Sequence, residues 1–115
     1  MKIYISGKIS GTSDYMQRFQ TAENLLRERG FEVINPARTN ATLPESTTWE
    51  EYMSVCLTLL AMSDAIYMLE GYEQSPGAMI ELDQAKRGHL KVFYEDNPWE
   101  VIKEASLVFR DAAYK

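Results

Sequence analysis

The sequence predicts an α/β domain built on a parallel β-sheet, and three observations support this prediction. The chain has 115 residues, a length that suits one domain with a buried core. Short apolar segments alternate four times with longer segments of helical periodicity, the pattern of strands joined by right-handed crossovers. No repeat, linker or low-complexity tract interrupts the alternation. Residues 1–115 are therefore interpreted as one domain.

The predicted strands are four short apolar segments bounded by residues that favour turns. They cover residues 1–6, 31–34, 64–69 and 90–94. Asn35 and Pro36 end the second strand, and the next dozen residues, rich in threonine, asparagine and proline, are predicted to form a long loop. Long loops in compact domains are often functional.

Helices are predicted between these strands and after the last one. The first follows Asp14, which is expected to cap it, and Gly30 ends it. The second begins at Thr48, because Thr48 and Glu51 have the spacing of a capping box. These and the two remaining predicted helices cover residues 15–29, 48–62, 76–87 and 99–113.

The composition excludes several kinds of partner. With 12 basic and 17 acidic residues, the net charge of -5 offers no electrostatic surface for a nucleic-acid polymer. The single cysteine, Cys56, excludes an internal disulfide and a multi-cysteine metal site, and we expect neither a metal nor a cofactor. No apolar segment is long enough for a leader or a membrane span. We therefore expect a cytoplasmic protein with no membrane partner.

The loop after the first strand is a candidate ligand site. Ligands of open parallel sheets bind outside the carboxyl ends of the strands. Ser6, Gly7, Lys8 and Ser10 combine glycine, which permits close approach of the backbone, with groups that donate hydrogen bonds to anionic oxygens. The segment matches neither the dinucleotide fingerprint nor the phosphate loop, so an ordinary strand-to-helix turn is an equal alternative.

The loop after the third strand is the second candidate. Ser75, followed by proline, has the pattern of a helix cap, and Gly77 and Ala78 place backbone amides at the positive end of the helix dipole. Such an end binds phosphate readily. Glu81 lies further along this helix between two apolar residues, where its carboxylate can act as nucleophile or base. The alternative for Glu81 alone is a solvated helix glutamate.

The order and spacing of five motifs resemble the nucleoside 2-deoxyribosyltransferase superfamily, most closely its short, often phage-encoded members. The motifs are residues 2–7 (KIYISG), 30–36 (GFEVINP), 49–53 (WEEYM), 63–69 (SDAIYML) and 71–78 (GYEQSPGA), followed by Glu81. The resemblance implies a flavodoxin-like three-layer fold with a parallel sheet of four to five strands, and assembly as a dimer or higher oligomer. It also implies a small-molecule partner, a deoxynucleoside or its 5′-monophosphate, cleaved at its glycosidic bond.

The resemblance also assigns roles to individual residues. Glu81 takes the position of the nucleophile and Tyr4 that of the tyrosine whose hydroxyl lies beside it. Ser75 stands where transferases of free nucleosides carry an aspartate and hydrolases of deoxynucleoside monophosphates carry a serine. A hydroxyl tolerates a phosphate that a carboxylate would repel. Lys8 would add positive charge nearby, and Tyr72 borders the second loop, where its ring can stack on a base.

One position departs from the family pattern. The aspartate that protonates the departing base is replaced by Cys56. A thiol is a weaker acid than a carboxylic acid, and loss of a general acid typically costs about 100-fold to 10,000-fold in rate. Three functions follow: an N-glycosidase or deoxyribosyltransferase, a nucleotide-binding protein with weak turnover, or an interaction scaffold. Cys56 as a small buried hydrophobe is the plainer interpretation of that residue.

Overall fold

The computed structural model describes the backbone of residues 1–114 and the side chains of residues 1–106. Its strands are β1 (Lys2–Ser6), β2 (Glu32–Ile34), β3 (Ala65–Met68) and β4 (Lys91–Tyr94). Its helices are α1 (Tyr15–Glu28), α2 (Pro36–Asn40), α3 (Trp49–Ala61), α4 (Pro76–Arg87) and α5 (Trp99–Tyr114). A short 3-10 turn, Tyr72–Gln74, precedes α4.

All four strands are parallel, in the order β2-β1-β3-β4. This order is that of the flavodoxin-like fold, in which the winding reverses between β1 and β3 and ligands bind at the carboxyl ends of these strands. In the register of this pair Tyr4 lies opposite Ile66, and Ser6 lies opposite Met68. The predicted flavodoxin-like fold with a parallel sheet of four to five strands is thus confirmed, with four strands.

Helices cover the sheet on both faces, because β1 and β3 are buried and present apolar side chains to each side. One face carries the core of α1 and α5, which includes Ile5, Phe19 and Val101. The other carries the core of α3 and α4, which includes Tyr4 and Leu82. Burial of a large apolar side chain contributes about 1.5–3 kcal/mol, so these two layers supply most of the stabilisation.

The helix starts follow local sequence signals, with one exception. Thr48 and Glu51 form the predicted capping box at the start of α3. Ser75 caps α4 as predicted. Asp14 stands at the cap position of α1 but makes no capping hydrogen bond through its side chain, so that prediction was wrong in its detail. Asp64, next to β3, accepts a hydrogen bond from the backbone N–H of Lys2 at 2.8 Å.

The loop predicted after β2 begins with a helix instead. Asn35 accepts hydrogen bonds from the backbone N–H groups of Ala37 and Arg38, and Pro36 occupies the first helical position. An asparagine cap followed by proline starts a helix for the same reason as Ser75 followed by proline. The prediction of a loop throughout this segment was therefore wrong for Pro36–Asn40.

Within residues 1–114, no helix combines the length and the apolar character needed to cross a membrane.

Candidate active site

A cavity of about 360 Å³ opens at the carboxyl end of β1. Its floor is the end of β1 and the first turns of α4, and its walls come from α1, α2, α3 and the segment between α2 and α3. Pockets that hold small ligands start at about 300 Å³. The cavity is therefore large enough for a compact ligand at the place where this fold binds ligands.

The carboxylate of Glu81 lies on the cavity floor, and both of its oxygens are hydrogen-bonded. The hydroxyl of Tyr4 donates to Oε2, and the hydroxyl of Ser6 donates to Oε1 at 2.7 Å. All three side chains are at least 94% buried, since Glu81 is 6% exposed, Ser6 1% and Tyr4 0%. The hydrogen bond predicted between Tyr4 and Glu81 is present, and Ser6 makes a second one.

Burial and the neighbouring hydroxyls set the protonation states at this floor. Burial raises the pKa of Glu81, and the hydrogen bonds from Tyr4 and Ser6 lower it in part. The resulting pKa is about 6. Burial and the charge of Glu81 raise the pKa of Tyr4 well above its usual value. At neutral pH the site therefore holds a buried carboxylate beside a protonated phenol.

Cys56 of α3 lies on the wall of the cavity, next to this pair. The thiol is 5% exposed, and it contacts both the Tyr4 hydroxyl and the Asn40 carboxamide, with 3.5 Å between Asn40 Nδ2 and Sγ. Burial raises the pKa of Cys56, although its contacts with the Tyr4 hydroxyl and the Asn40 carboxamide lower it. Cys56 is thus a neutral, buried thiol that faces the candidate site.

The start of α4 forms one edge of the cavity. Ser75, Gly77 and Ala78 all line it, but the backbone N–H of Ala78 donates to Ser75 Oγ at 3.1 Å. The expectation that the Ala78 amide is available to a phosphate was therefore wrong, because Ser75 uses it as a cap. A Cβ atom at Gly77 would lie 3.1 Å from Met53 Sδ, so glycine lets α3 approach this edge.

The loop after β1 contributes unevenly. Ser6, Gly7 and Ser10 line the cavity, whereas Lys8 is not among the wall residues. A Cβ atom at Gly7 would lie 2.9 Å from the Leu69 side chain, so packing against the strand end requires this glycine. Tyr72 is not a wall residue either, since its ring packs on Tyr94 with the ring centres 5.7 Å apart.

The segment that follows β2 supplies wall residues that the sequence pattern did not indicate. Asn40 comes from the end of α2, and Glu45 from the segment between α2 and α3. The signal for Asn40 was the Asn35 cap, which starts the helix that carries it. Glu45 and Glu81 are the acidic wall residues, and the wall as the structure describes it includes no lysine or arginine.

Comparison with known proteins places the chain in a family. Residues 1–94 match the model of a family described as "Domain of unknown function (DUF4406)", and the chain belongs to that family. No curated protein matches. The solved structures that match include the 2-deoxyribosyltransferase of the psychrotolerant bacterium Bacillus psychrosaccharolyticus, described as a biocatalyst for nucleoside synthesis. The TM-score is 0.67 at 19% identity, over 82% of this chain and 71% of that one.

This likeness shows a shared fold over most of both chains. The resemblance to the nucleoside 2-deoxyribosyltransferase superfamily that the motifs predict is therefore confirmed as a structural likeness.

Proposed function

We propose that this protein cleaves the N-glycosidic bond of a 2′-deoxynucleoside or its 5′-monophosphate, with Glu81 as the nucleophile. The observation that carries the proposal is the Glu81 carboxylate, which is 6% exposed and lies on the cavity floor between two hydroxyl donors. A buried carboxylate without a cationic partner is costly, so it is typical of a reactive group. Fold likeness to a 2-deoxyribosyltransferase supports the same chemistry.

The proposed reaction has two displacements. An oxygen of Glu81 attacks C1′ of the sugar, and the electron pair of the breaking C1′–N bond leaves with the base, which takes up a proton. Water or a second base then attacks C1′ of the glycosyl ester and restores the carboxylate. Tyr4 and Ser6 hold the two carboxylate oxygens in place, so the nucleophile needs no reorientation before attack.

The edge formed by Ser75 and Gly77 is proposed to bind the 5′ end of the ligand. The Ser75 oxygen accepts from Ala78, so its own hydroxyl hydrogen points elsewhere and can donate, together with the Gly77 amide at the second helical position. These neutral donors suit a 5′-hydroxyl or a phosphate. The described wall lacks a lysine or arginine, which favours the nucleoside over its dianionic monophosphate.

Cys56 supports a second candidate, a nucleotide-binding protein with little turnover. A neutral thiol beside Tyr4 cannot protonate a departing base as a carboxylic acid does, because the pKa of Cys56 is raised by burial. The interaction scaffold fits less well, since a scaffold needs no hydrogen-bonded carboxylate inside a cavity.

The test is incubation of the protein with 2′-deoxynucleosides, their 5′-monophosphates and matching ribonucleosides. Chromatography detects the released base, and mass spectrometry after an acid quench detects a deoxyribosyl adduct on Glu81. We expect base release from deoxy substrates and the adduct on the peptide that contains Glu81. Saturable binding without base release or adduct would favour the second candidate. The absence of both binding and base release would contradict both candidates.

A Cys56→Asp variant separates the two candidates further. If the missing acid limits turnover, this variant should release base faster, by up to the factor of about 100 to 10,000 that one general acid contributes. The melting temperature of the same variant is the control, because a buried aspartate lowers stability. A stable variant with unchanged or lower turnover would contradict the hypothesis that Cys56 limits the rate of base release.

We also propose that the protein self-associates through α3 and α4 in a two-fold contact. Tyr52, Met53 and Leu59 are half-buried on α3, and Met79 on α4 is 43% exposed. These side chains give the pair of helices an apolar surface next to the cavity. Light scattering at high protein concentration should show a dimer or higher oligomer, and a monomer would contradict the proposal.

A further inference from the structure

The backbone of Glu70 is held by two charged side chains just beyond the end of β3. The Arg18 guanidinium donates to the Glu70 carbonyl oxygen at 2.6 Å, and the Glu70 N–H donates to Glu95 Oε1 at 2.7 Å. One residue earlier the sheet still supplies the partner, since the Leu69 N–H donates to the Ser6 carbonyl oxygen at 2.8 Å. Side chains from α1 and from the residue after β4 therefore fix the backbone past the edge of the sheet.

The ion pair between Arg18 and Glu95 does not account for this arrangement. Arg18 Nη2 and Glu95 Oε1 are 3.7 Å apart, and the two side chains are 30% and 33% exposed. Such pairs contribute little, because solvent screens them. Hydrogen bonds from a charged group to the backbone are shorter and stronger. The two bonds to Glu70 are therefore the stronger interactions of this group of residues.

The turn that begins at Glu70 leads to the edge of the cavity. Gly71 reverses the chain at a φ of +89°, a conformation that favours glycine. The Ser75 N–H then donates to the Tyr72 carbonyl oxygen at 2.9 Å, so the turn continues directly into the start of α4. Ser75 and Gly77 line the cavity. A shift of the Glu70 backbone is therefore passed to this edge of the cavity.

Arg18 also connects this turn to a second wall of the cavity. Its neighbours on α1, Tyr15 and Phe19, line the cavity, and Phe19 is 1% exposed in the core. Core packing thus holds the helix backbone at Arg18. The guanidinium therefore bonds to Glu70 from a rigid element, which is what a precise site requires of its supporting residues.

We propose that Arg18 and Glu95 are positioning residues that hold the first turn of α4 in place for the 5′ end of the substrate. Glu81 lies further along this helix, where the hydroxyls on the cavity floor hold its carboxylate independently. The two positioning residues therefore act on binding at Ser75 and leave the nucleophile in place. The inference rests on the proposed function and on its 5′ edge.

The test compares 2′-deoxyadenosine and thymidine with their 5′-deoxy analogues, which lack the 5′-hydroxyl, in Arg18→Ala and Glu95→Ala. For the two substrates with a 5′-hydroxyl we expect KM to rise by about 10-fold, the usual effect of one hydrogen bond, with kcat nearly unchanged. For the 5′-deoxy analogues we expect neither constant to change, because they make no bond at the Ser75 edge. A purely structural role would lower activity on all four alike.

Two further variants sharpen the comparison. Glu95→Gln keeps the oxygen that accepts from the Glu70 N–H and removes only the charge, so its KM should return to the wild-type value. Arg87→Ala is the matched control, because Arg87 is an exposed arginine that pairs with Asp83 at 2.8 Å and is not a wall residue. It should cleave every substrate as the wild type does. The melting temperatures of all variants show that they fold.

An equal loss on each substrate and its 5′-deoxy analogue, or an unchanged KM in Arg18→Ala and Glu95→Ala, would overturn the role of these two residues alone. A Glu95→Gln variant that behaves like Glu95→Ala would also overturn it, since the charge rather than the bond to Glu70 would then matter. Failure of the wild type to release base from any of the four compounds would overturn the proposed function and this role with it.

Discussion

Two buried glutamates of this small domain have opposite surroundings. Glu23 on α1 is 3% exposed and Glu81 on α4 is 6% exposed, so burial alone does not distinguish them. Glu23 is surrounded by donors that carry positive charge, whereas Glu81 is held by neutral hydroxyls on a cavity floor. Their neighbours therefore decide what each carboxylate does.

Around Glu23 the donors outweigh the cost of burial. Burial alone would raise the pKa of Glu23, but the hydrogen bonds from Arg27, Asn35 and Arg38 together lower it. Both arginines reach it from the surface, at 2.8 Å and 3.0 Å. The result is a fully ionised carboxylate whose bonds connect α1 to the start of α2, which is the work of a structural residue.

Around Glu81 the cost of burial is only partly offset. The hydroxyls of Tyr4 and Ser6 lower the pKa of Glu81, yet burial keeps it raised, at about 6. A structural carboxylate would gain from a cation, and the described wall offers none. Glu81 is therefore a buried charge that costs stability, as expected of the proposed nucleophile, while Glu23 is satisfied and contributes stability.

The largest expected effect is on base release by Glu81→Gln. The amide keeps the size of the side chain but is not a nucleophile, so release should fall by about 1,000-fold or more. Asp83→Asn is the matched control on the same helix, because Asp83 is exposed and pairs with Arg87 at 2.8 Å. The control should keep wild-type activity. Base release by Glu81→Gln at the wild-type rate would contradict the assignment of the nucleophile.

A smaller effect is expected on stability when Glu23 is changed. Glu23→Gln keeps one acceptor oxygen but loses the charge that both arginines contact. We therefore expect the free energy of unfolding to fall by about 1–2 kcal/mol at neutral pH. The lowered pKa of Glu23 means that its contribution is present above pH 4.5 and is lost as the pH falls through the folded-state value.

Urea unfolding of the wild type and Glu23→Gln at several pH values measures this effect. The difference between the two proteins should be largest at neutral pH and should shrink in acid. A difference that does not depend on pH would mean that shape rather than charge makes Glu23 stabilising.

Glu81→Gln should change stability in the opposite direction. Because the pKa of Glu81 is raised from 4.5 to about 6, the folded protein binds this proton more tightly than the unfolded chain does. Stability is then greatest below pH 4.5 and falls as the pH rises through 6. A neutral amide avoids this loss, so the variant should be more stable than the wild type by up to about 2 kcal/mol at pH 8.

The same unfolding series tests this opposite sign. The advantage of Glu81→Gln should disappear below pH 4.5, where the wild-type carboxyl is protonated in both states. A variant less stable than the wild type at pH 8 would show that the hydrogen bonds from Tyr4 and Ser6 outweigh the cost of the buried charge.

The contrast between the two glutamates also shows what the sequence allows one to predict. The strands and four helices follow from apolar periodicity and from caps such as Thr48 and Ser75, because these are local signals. The approach of Tyr4 to Glu81 spans 77 residues of the chain, so no local pattern contains it. That contact was predicted through the family resemblance, and the packing of α4 against β1 brings the two side chains together.

The rest of the candidate site depends on the directions in which side chains point, and sequence patterns do not encode these directions. Lys8 and Tyr72 lie in the predicted loops, but the structure keeps both off the cavity wall. Ser6 was expected to bind the ligand, and its hydroxyl instead holds Glu81. Asn40 was missed because threonine, asparagine and proline favour loops in general, although Asn35 and Pro36 start a helix.

The smallest expected effect is on the pH dependence of base release. Release by the wild type should rise with pH and level off above an inflection near 6, as Glu81 becomes a carboxylate. The Tyr4 hydroxyl donates to the charged form of Glu81 and so lowers the pKa of that carboxyl. Tyr4→Phe removes this donor without removing the ring, and the inflection should move to higher pH.

A profile of kcat/KM against pH measures this shift, because it reports the ionisation of the free enzyme. Tyr67→Phe is the matched control: Tyr67 is 4% exposed on β3, and its side chain packs in the core on the opposite face of the sheet. Its profile should coincide with that of the wild type. An inflection for Tyr4→Phe that stays in place or moves to lower pH would mean that the phenol does not stabilise the charged carboxylate. Glu23 and Glu81 would then differ only in that Glu23 contacts two arginines and Glu81 contacts none.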